Sequence, residues 1–171
     1  SKSWCLHAKN YVNKVIKKLN LSSDSLIVEI ASNDGYLLQY FNEKKIPNFG
    51  IEPTKATALA AEKKGVVTKQ RFFSKSYATE LIDKGGYAEG GVDLLIANNV
   101  AAHVPDINEF MAGISIMLNK KGVASLEFPH LLKLIEGNQF DTIYHEHFSY
   151  FSLNTFIKIT ESNGLNLFDV E

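Results

Sequence analysis

The densest chemistry in the chain lies in one decapeptide, Asp141-Thr142-Ile143-Tyr144-His145-Glu146-His147-Phe148-Ser149-Tyr150. Histidine titrates near neutral pH and can remove a proton from a carbon acidified by a neighbouring carbonyl. An adjacent carboxylate raises its basicity and fixes its tautomer. His145 and His147 around Glu146, with Tyr144 beside them, therefore form a general-base candidate. In an extended segment His145 and His147 would face one side and Tyr144 and Glu146 the other, so only one set would line a cleft. The same residues permit a metal reading, with His145 and His147 at i, i+2 and Glu146 plus His103 or His130 completing the ligands. His130, next to Pro129, and His7 are read as structural, and His103 gains weight from its position just after an apolar strand.

A second constellation surrounds Leu26 to Gly35, Leu-Ile-Val-Glu-Ile-Ala-Ser-Asn-Asp-Gly, where a buried strand runs into a tight turn. Helical spacing of Leu37, Leu38 and Phe41 over Tyr36 to Lys44 places a helix N-terminus at that turn, a seat for a nucleotide-like ligand. Glu52-Pro53, about twenty residues past the first strand and ending the second, supplies a carboxylate suited to both ribose hydroxyls. The Gly-x-Gly-x-x-Gly fingerprint is absent, since Ala31, Ser32 and Asn33 stand where a pyrophosphate needs bare backbone, so a nicotinamide dinucleotide is disfavoured. A ligand with an adenosine, no phosphate and a charged amino-acid tail suits these side chains better, and S-adenosylmethionine has that chemistry. Glu29 or Asp34 would anchor its amino group, with Ala31 to Gly35 and the Asn98-Asn99 pair forming the rest of the cofactor site.

The elements that must position these residues follow from the hydrophobic pattern. An amphipathic helix opens the chain, carrying Trp4, Ala8, Tyr11, Val12, Val15, Ile16 and Leu19 on one face. Strands are expected at Leu26 to Ile30, Phe49 to Ile51, Val66-Val67, Val92 to Ala97 and Val123 to Phe128. Helices are expected at Thr54 to Lys64, Ser74 to Lys84 and, capped by Asp106, Asp106 to Leu118. Asn119 to Gly122 is read as a turn. From Pro129 a long irregular stretch reaches Phe151, followed by a helix at Leu153 to Asn163 and a last strand at Leu165 to Val170. Strands alternating with helices predict a mostly parallel α/β sheet with right-handed crossovers and helices on both faces, whose ligands lie beyond the strands' carboxyl ends.

Composition bounds the rest. The 171 residues are 45% hydrophobic and 22% charged, with a formal net charge of −1, which fits one folded domain of about 100–200 residues. Dispersed lysines lack the footprint of a nucleic-acid binder. No apolar run of the required ~20 residues is present, so no membrane contact is expected. The one cysteine, Cys5, reads as a packed thiol, and a cytoplasmic location is the default without a leader sequence. The two ends read as cuts within a larger protein.

Taken together, Glu29-Ile-Ala-Ser-Asn-Asp-Gly-Tyr-Leu-Leu-Gln-Tyr, Gly50-Ile-Glu-Pro, Ala97-Asn-Asn-Val-Ala-Ala-His-Val-Pro-Asp, Glu127-Phe-Pro-His and Gln139-Phe-Asp-Thr-Ile-Tyr-His-Glu-His-Phe-Ser-Tyr resemble the S-adenosylmethionine-dependent sugar C-methyltransferases. The resemblance implies a Rossmann-like class I methyltransferase fold. It also implies that residues 1–171 are the central domain of a three-part enzyme, lacking an N-terminal zinc-binding domain and a C-terminal domain that helps hold a nucleotide sugar. Zinc is expected only in that missing N-terminal part, and the rest of the full-length chain is an expected partner. The implied reaction is methylation at C3 of a nucleotide-linked 4-keto-deoxysugar through an enolate. The family's base maps onto His147, its neighbouring active-site residues onto Tyr144 and Glu146, and its histidine after the fourth strand onto His103. A domain that binds S-adenosylmethionine without catalysis is the alternative from another class.

Overall fold

Ile27–Ile30 (β1), Asn48–Ile51 (β2), Thr68–Lys69 (β3), Val92–Asn98 (β4) and Leu118–Glu127 (β5) pair in parallel, in the spatial order β3-β2-β1-β4-β5. This computed structural model describes residues 2–171. All four residues of β1 and nearly all of β4 are buried, because a parallel strand in the middle of such a sheet is covered on both faces. Along β4, Leu95 and Ala97 enter one core while Leu94 and Ile96 enter the other, the two-residue period of a strand, and Val92 joins the first core out of phase across the register shift between Val92 and Leu94.

Helices cover both faces. Lys2–Leu19 (α1), Gln39–Glu43 (α2) and Lys55–Glu62 (α3) lie over one, contributing Ala8, Val12, Val15, Phe41 and Ala61. Lys75–Ile82 (α4), Ile107–Met117 (α5) and Leu153–Ser162 (α7) lie over the other, contributing Tyr77, Leu81, Phe110, Met111, Ile114 and Phe156. Each valine or leucine fully buried in this way stabilises the fold by about 1.5–3 kcal/mol before entropy is counted. Asp106 caps α5 as its sequence position predicts, its carboxylate accepting from the N–H groups of Asn108 and Glu109. Ser74 and Ser152 cap α4 and α7 in the same way.

Several elements differ from the sequence expectation. The third strand is Thr68–Lys69 rather than Val66-Val67, because Val66 is drawn into the core beneath Gly35. The helix after the first turn is only Gln39–Glu43, so residues 36–38 are turns and no helix N-terminus abuts Gly35. β5 begins at Leu118 directly after α5 and ends at Glu127, short of Phe128. Val92 pairs with Leu118 and Leu94 with Val123, so the expected turn is a bulge within the strand, and Gly122 permits it because a Cβ there would lie 2.5 Å from the Val92 carbonyl oxygen. The long stretch after β5 contains Leu131–Glu136 (α6) and a 3₁₀ turn at Phe140–Thr142.

The expected last strand, Leu165 to Val170, pairs with no strand among the described residues and leaves Leu167, Phe168 and Val170 exposed. Ion pairs of Lys18 with Asp169 and of Lys14 with Glu171 hold it against α1 instead. Trp4, expected on the inward stripe of α1, is 45% exposed and stands beside the Tyr36 ring, centroids 6.1 Å apart, rather than in the core. Asp93 accepts from the Leu26 N–H and from the Asn119 side chain, joining the starts of β1 and β5, a role that its sequence context did not reveal. No helix among the described residues is long and apolar enough to cross a membrane.

Candidate active site

The strand order reverses between β1 and β4, and the carboxyl ends of these two strands open into a cleft of about 410 Å³. Ala31, Asn33 and Asp34 line it from the turn after β1, and Asn98 and Asn99 from the end of β4. Although the turn lacks the glycine fingerprint, it adopts the backbone that glycines usually supply. Ala31, Asn33 and Gly35 all have positive φ, at 53°, 50° and 71°, and across the cleft Asn99 stands at 56°. A non-glycine residue held there costs on the order of 1–2 kcal/mol, and such strain persists where surrounding contacts enforce it. Here the enforcing contacts are visible: the Ser32 N–H donates to the Ile51 carbonyl, the Asn33 N–H to the Glu52 carboxylate, and the Asn33 side chain back to the Ala31 carbonyl.

Glu52 is 5% exposed and also accepts from the Thr54 N–H, so its carboxylate ties the β1 turn to the end of β2 while keeping lone pairs for a ligand. Asp34 is differently placed from the expectation of an amino-group anchor: it is half exposed and bound to Lys64 at 2.6 Å. Glu29, the other residue of that expectation, lies within β1. It is 1% exposed, and one carboxylate oxygen has no hydrogen-bond partner. Burial, and secondarily the charge of Asp34, pushes its carboxyl well above the usual carboxylate range. Tyr36, at the same cleft, is pushed up to about 12 by burial and then by Glu29, so it stays a neutral hydroxyl.

The Glu29 shift has a stability consequence with a definite sign. A carboxyl whose folded value is raised stabilises the fold below its unfolded value of 4.5, and that stabilisation is lost as pH rises through the folded value. Glu29→Gln, which cannot ionise, is therefore expected to gain melting temperature relative to wild type between pH 4 and pH 8. Thermal melts of the ligand-free proteins at both pH values measure this, and a pH-independent difference would contradict it.

The second group of residues assembles where the chain leaves β4. A 3₁₀ turn at Ala101–His103 accepts the decapeptide through the Ala102 carbonyl, which takes the N–H groups of Phe148 and Ser149. That pairing brings the His103 and His147 ring centroids to 4.5 Å, edge to face with an interplanar angle of 65°. Residues 144–147 form a turn closed by the His147 N–H on the Tyr144 carbonyl, so the expected strand-like alternation does not occur and Tyr144 lies against His147. The expected carboxylate support is replaced by backbone. His103 Nδ1 donates to the carbonyl of Glu146 at 3.1 Å, and His147 Nδ1 donates to the carbonyl of Thr142 at 2.9 Å. A carbonyl only accepts, so both neutral rings carry the proton on Nδ1 and hold their lone pair on Nε2. Glu146 thus contributes its carbonyl, not its carboxylate.

The metal reading loses its geometry. His130 accepts the Leu153 N–H at 3.1 Å, confirming its structural role, and among the described residues no three His, Cys, Asp or Glu side chains converge as a ligand set. A larger open groove of about 670 Å³ runs beside β3, lined by Lys69, Arg71 and Tyr87, and contains none of the candidate residues.

A family profile described as a methyltransferase domain matches residues 7–170. The chain belongs to that family. It is 35% identical over 164 residues, 96% of its length, to the C-methyltransferase NovU of Streptomyces niveus, and spans 38% of that relative's length. Its fold matches the crystal structure of a SAM-dependent methyltransferase from Archaeoglobus fulgidus with a TM-score of 0.70 at 14% identity, over 91% of this chain and 68% of that one. The YcgJ protein of Bacillus subtilis matches with a TM-score of 0.69 at 16% identity, over 92% and 67%. The fold is the Rossmann-like class I methyltransferase fold expected from the sequence, and by family the chain is a methyltransferase domain.

Toward the S-adenosylmethionine expected from the sequence, the end of β1 offers the buried Glu29 carboxyl, whose unpartnered oxygen is an acceptor suited to an ammonium group, and the end of β2 offers the Glu52 carboxylate, while the buried, unpartnered Ser32 hydroxyl faces Gly50. Cleft residues that the sequence did not single out are Trp4 and Cys5 of α1, Tyr36 and Lys64. Cys5, expected to be packed, is only half-buried because it forms part of this wall. Glu127 was also missed: it ends β5, accepts from the Asn99 side chain at 2.8 Å and lies 3.7 Å from His7. Its signal was positional, a carboxylate at a strand's carboxyl end.

Proposed function

We propose that the domain methylates a carbon of a nucleotide-linked keto-deoxysugar, at C3 beside a C4 ketone, through an enolate. The observation that carries this reading is the His103–His147–Tyr144 cluster, joined to the loop that follows Asn98 and Asn99, with both Nε2 lone pairs set by backbone carbonyls. A carbon next to a ketone becomes a nucleophile only once its proton is removed, and a neutral imidazole is the group for that task. Transfer to oxygen needs less. His147 is the base, and His103 stands beside it to stabilise the enolate or return a proton. Bound in the cleft, S-adenosylmethionine supplies the electrophilic methyl group. Glu52 holds its ribose, Glu29 its amino group, and residues 31–35, Pro53, Asn98 and Asn99 shape the remaining wall. The name of the Streptomyces niveus relative, a C-methyltransferase, supports carbon as the acceptor.

Calorimetry with S-adenosylmethionine, S-adenosylhomocysteine and NAD tests the cofactor half. Both sulfur ligands are expected to bind and NAD is not. Glu52→Ala is expected to weaken S-adenosylmethionine by about 10- to 100-fold, the loss of a charge-assisted hydrogen bond of about 1.5–3 kcal/mol. No binding by either sulfur ligand would sink the assignment of these residues. The reaction half is tested by exchange of the sugar's C3 proton with solvent.

A further inference from the structure

We propose that Trp4, set beside Tyr36, is the part of the cleft wall that recognises the positive charge of the methyl donor, separating the sulfonium from the neutral thioether left after transfer; this rests on the S-adenosylmethionine reading above. Trp4 is 45% exposed at the start of α1, although that helix already buries Ala8, Val12 and Val15 in the core. An indole is a large apolar group to leave facing water, and the helix does not need it for packing. It lines the cleft instead, with Tyr36, Ala31, Asn98 and Asn99. The Trp4 and Tyr36 ring centroids lie 6.1 Å apart with their planes tilted by 44°, and the Trp4 indole N–H donates to the Tyr36 hydroxyl, so the two rings are held as one surface. Trp4 also lies 6.0 Å from the ring of His7, which meets Glu127 at 3.7 Å.

A sulfonium has no N–H or O–H to donate, and its charge is spread over the carbons bonded to sulfur. The negative face of an aromatic ring meets such a cation well, and tryptophan is the strongest of the aromatic side chains in this role. The carboxylates around the cleft are already committed. Asp34 is held by Lys64 at 2.6 Å, Glu52 accepts from the N–H groups of Asn33 and Thr54, and Glu29 is buried within β1. Tyr36, pushed up to about 12 by burial and then by Glu29, stays an uncharged phenol, so charge is sensed here by ring faces and not by a tyrosinate. Once the methyl group has left, the sulfur is neutral and this attraction is gone, which favours an incoming donor over the spent product.

The test is the ratio of S-adenosylmethionine affinity to S-adenosylhomocysteine affinity, measured by calorimetry on the complete enzyme and its Trp4 variants. Trp4 lies outside the buried core, so neither substitution removes packing that the fold needs. Trp4→Leu is expected to lower the ratio by about 3- to 30-fold, chiefly by weakening the charged ligand, while Trp4→Phe, which keeps a weaker ring face, loses less. A ratio within about twofold of wild type in Trp4→Leu overturns the proposal and leaves the cofactor reading intact. An equal loss of both ligands does the same, because Trp4 would then pack only against parts that the two share. Equal falls in the ratio for Trp4→Leu and Trp4→Phe would assign the effect to the indole N–H on Tyr36 and overturn the role of the ring face. Wild-type enzyme that binds neither ligand overturns the cofactor reading and this inference together.

Discussion

His147→Gln is expected to lower C3 proton exchange by about 10²–10⁴-fold, the usual contribution of a positioned general base, while S-adenosylmethionine affinity stays within about twofold. The separation follows from where the residues lie. His147 is on the decapeptide held to the Ala102 carbonyl, whereas the cofactor candidates lie on the β1 turn, the β2 end and the β4 end. Glutamine retains an N–H that can donate to the Thr142 carbonyl, so the turn keeps its shape, and its amide lacks a lone pair basic enough to take a proton. Exchange measured by proton NMR and affinity measured by calorimetry give the two readouts. A parallel loss of both would mean that the substitution disturbs the fold rather than the chemistry.

Gly50→Ala is expected to damage both the fold and the cofactor turn. A Cβ at Gly50 would lie 2.1 Å from the Ser32 hydroxyl oxygen and 2.6 Å from its Cβ, inside any real contact. Ser32 is fully buried and has little room to turn aside, since its N–H is bonded to the Ile51 carbonyl in the same strand end. Overpacking of this kind costs about 1–3 kcal/mol, occasionally more, and here it would displace the cofactor turn as well. The expected result is a melting temperature lowered by about 2–12 °C, with S-adenosylmethionine affinity reduced. Because one contact causes the clash, Ser32→Gly in the same chain is expected to restore part of the stability, giving a non-additive double variant. Equal losses with and without Ser32→Gly would show that Gly50 is constrained by something else.

The fold was legible because its strongest signals are periodic. The uninterrupted apolar run of Val92 to Ala97 could serve only as a strand buried on both faces, and the stripe Phe110, Met111, Ile114, Met117 only as a helix on that core. Asp106 announced the start of that helix by residue type. Short elements were less legible. Val66-Val67 has strand-forming residues, but pairing with β2 begins only at Thr68 because Val66 is needed under Gly35. Leu165 to Val170 has an apolar strand pattern, yet a strand needs a neighbour, and none is beside it among the described residues.

The site divides in the same way. Sequence by itself determined which residue types stand at the carboxyl ends of the strands, because strand lengths place Glu29, Glu52, Asn98 and Asn99 there whatever the details of packing. Only the tertiary structure decided how they are used: Glu29 buried with an unpartnered oxygen, Asp34 diverted to Lys64, Ala31 and Asn33 held in glycine-like conformations by contacts from β2. It also decided that carbonyls of Thr142 and Glu146, rather than the Glu146 carboxylate, set the histidine tautomers. The physical reason is that every residue carries a backbone acceptor. Side-chain identity cannot reveal which carbonyl meets an imidazole until the chain between residues 103 and 147 has folded back on itself.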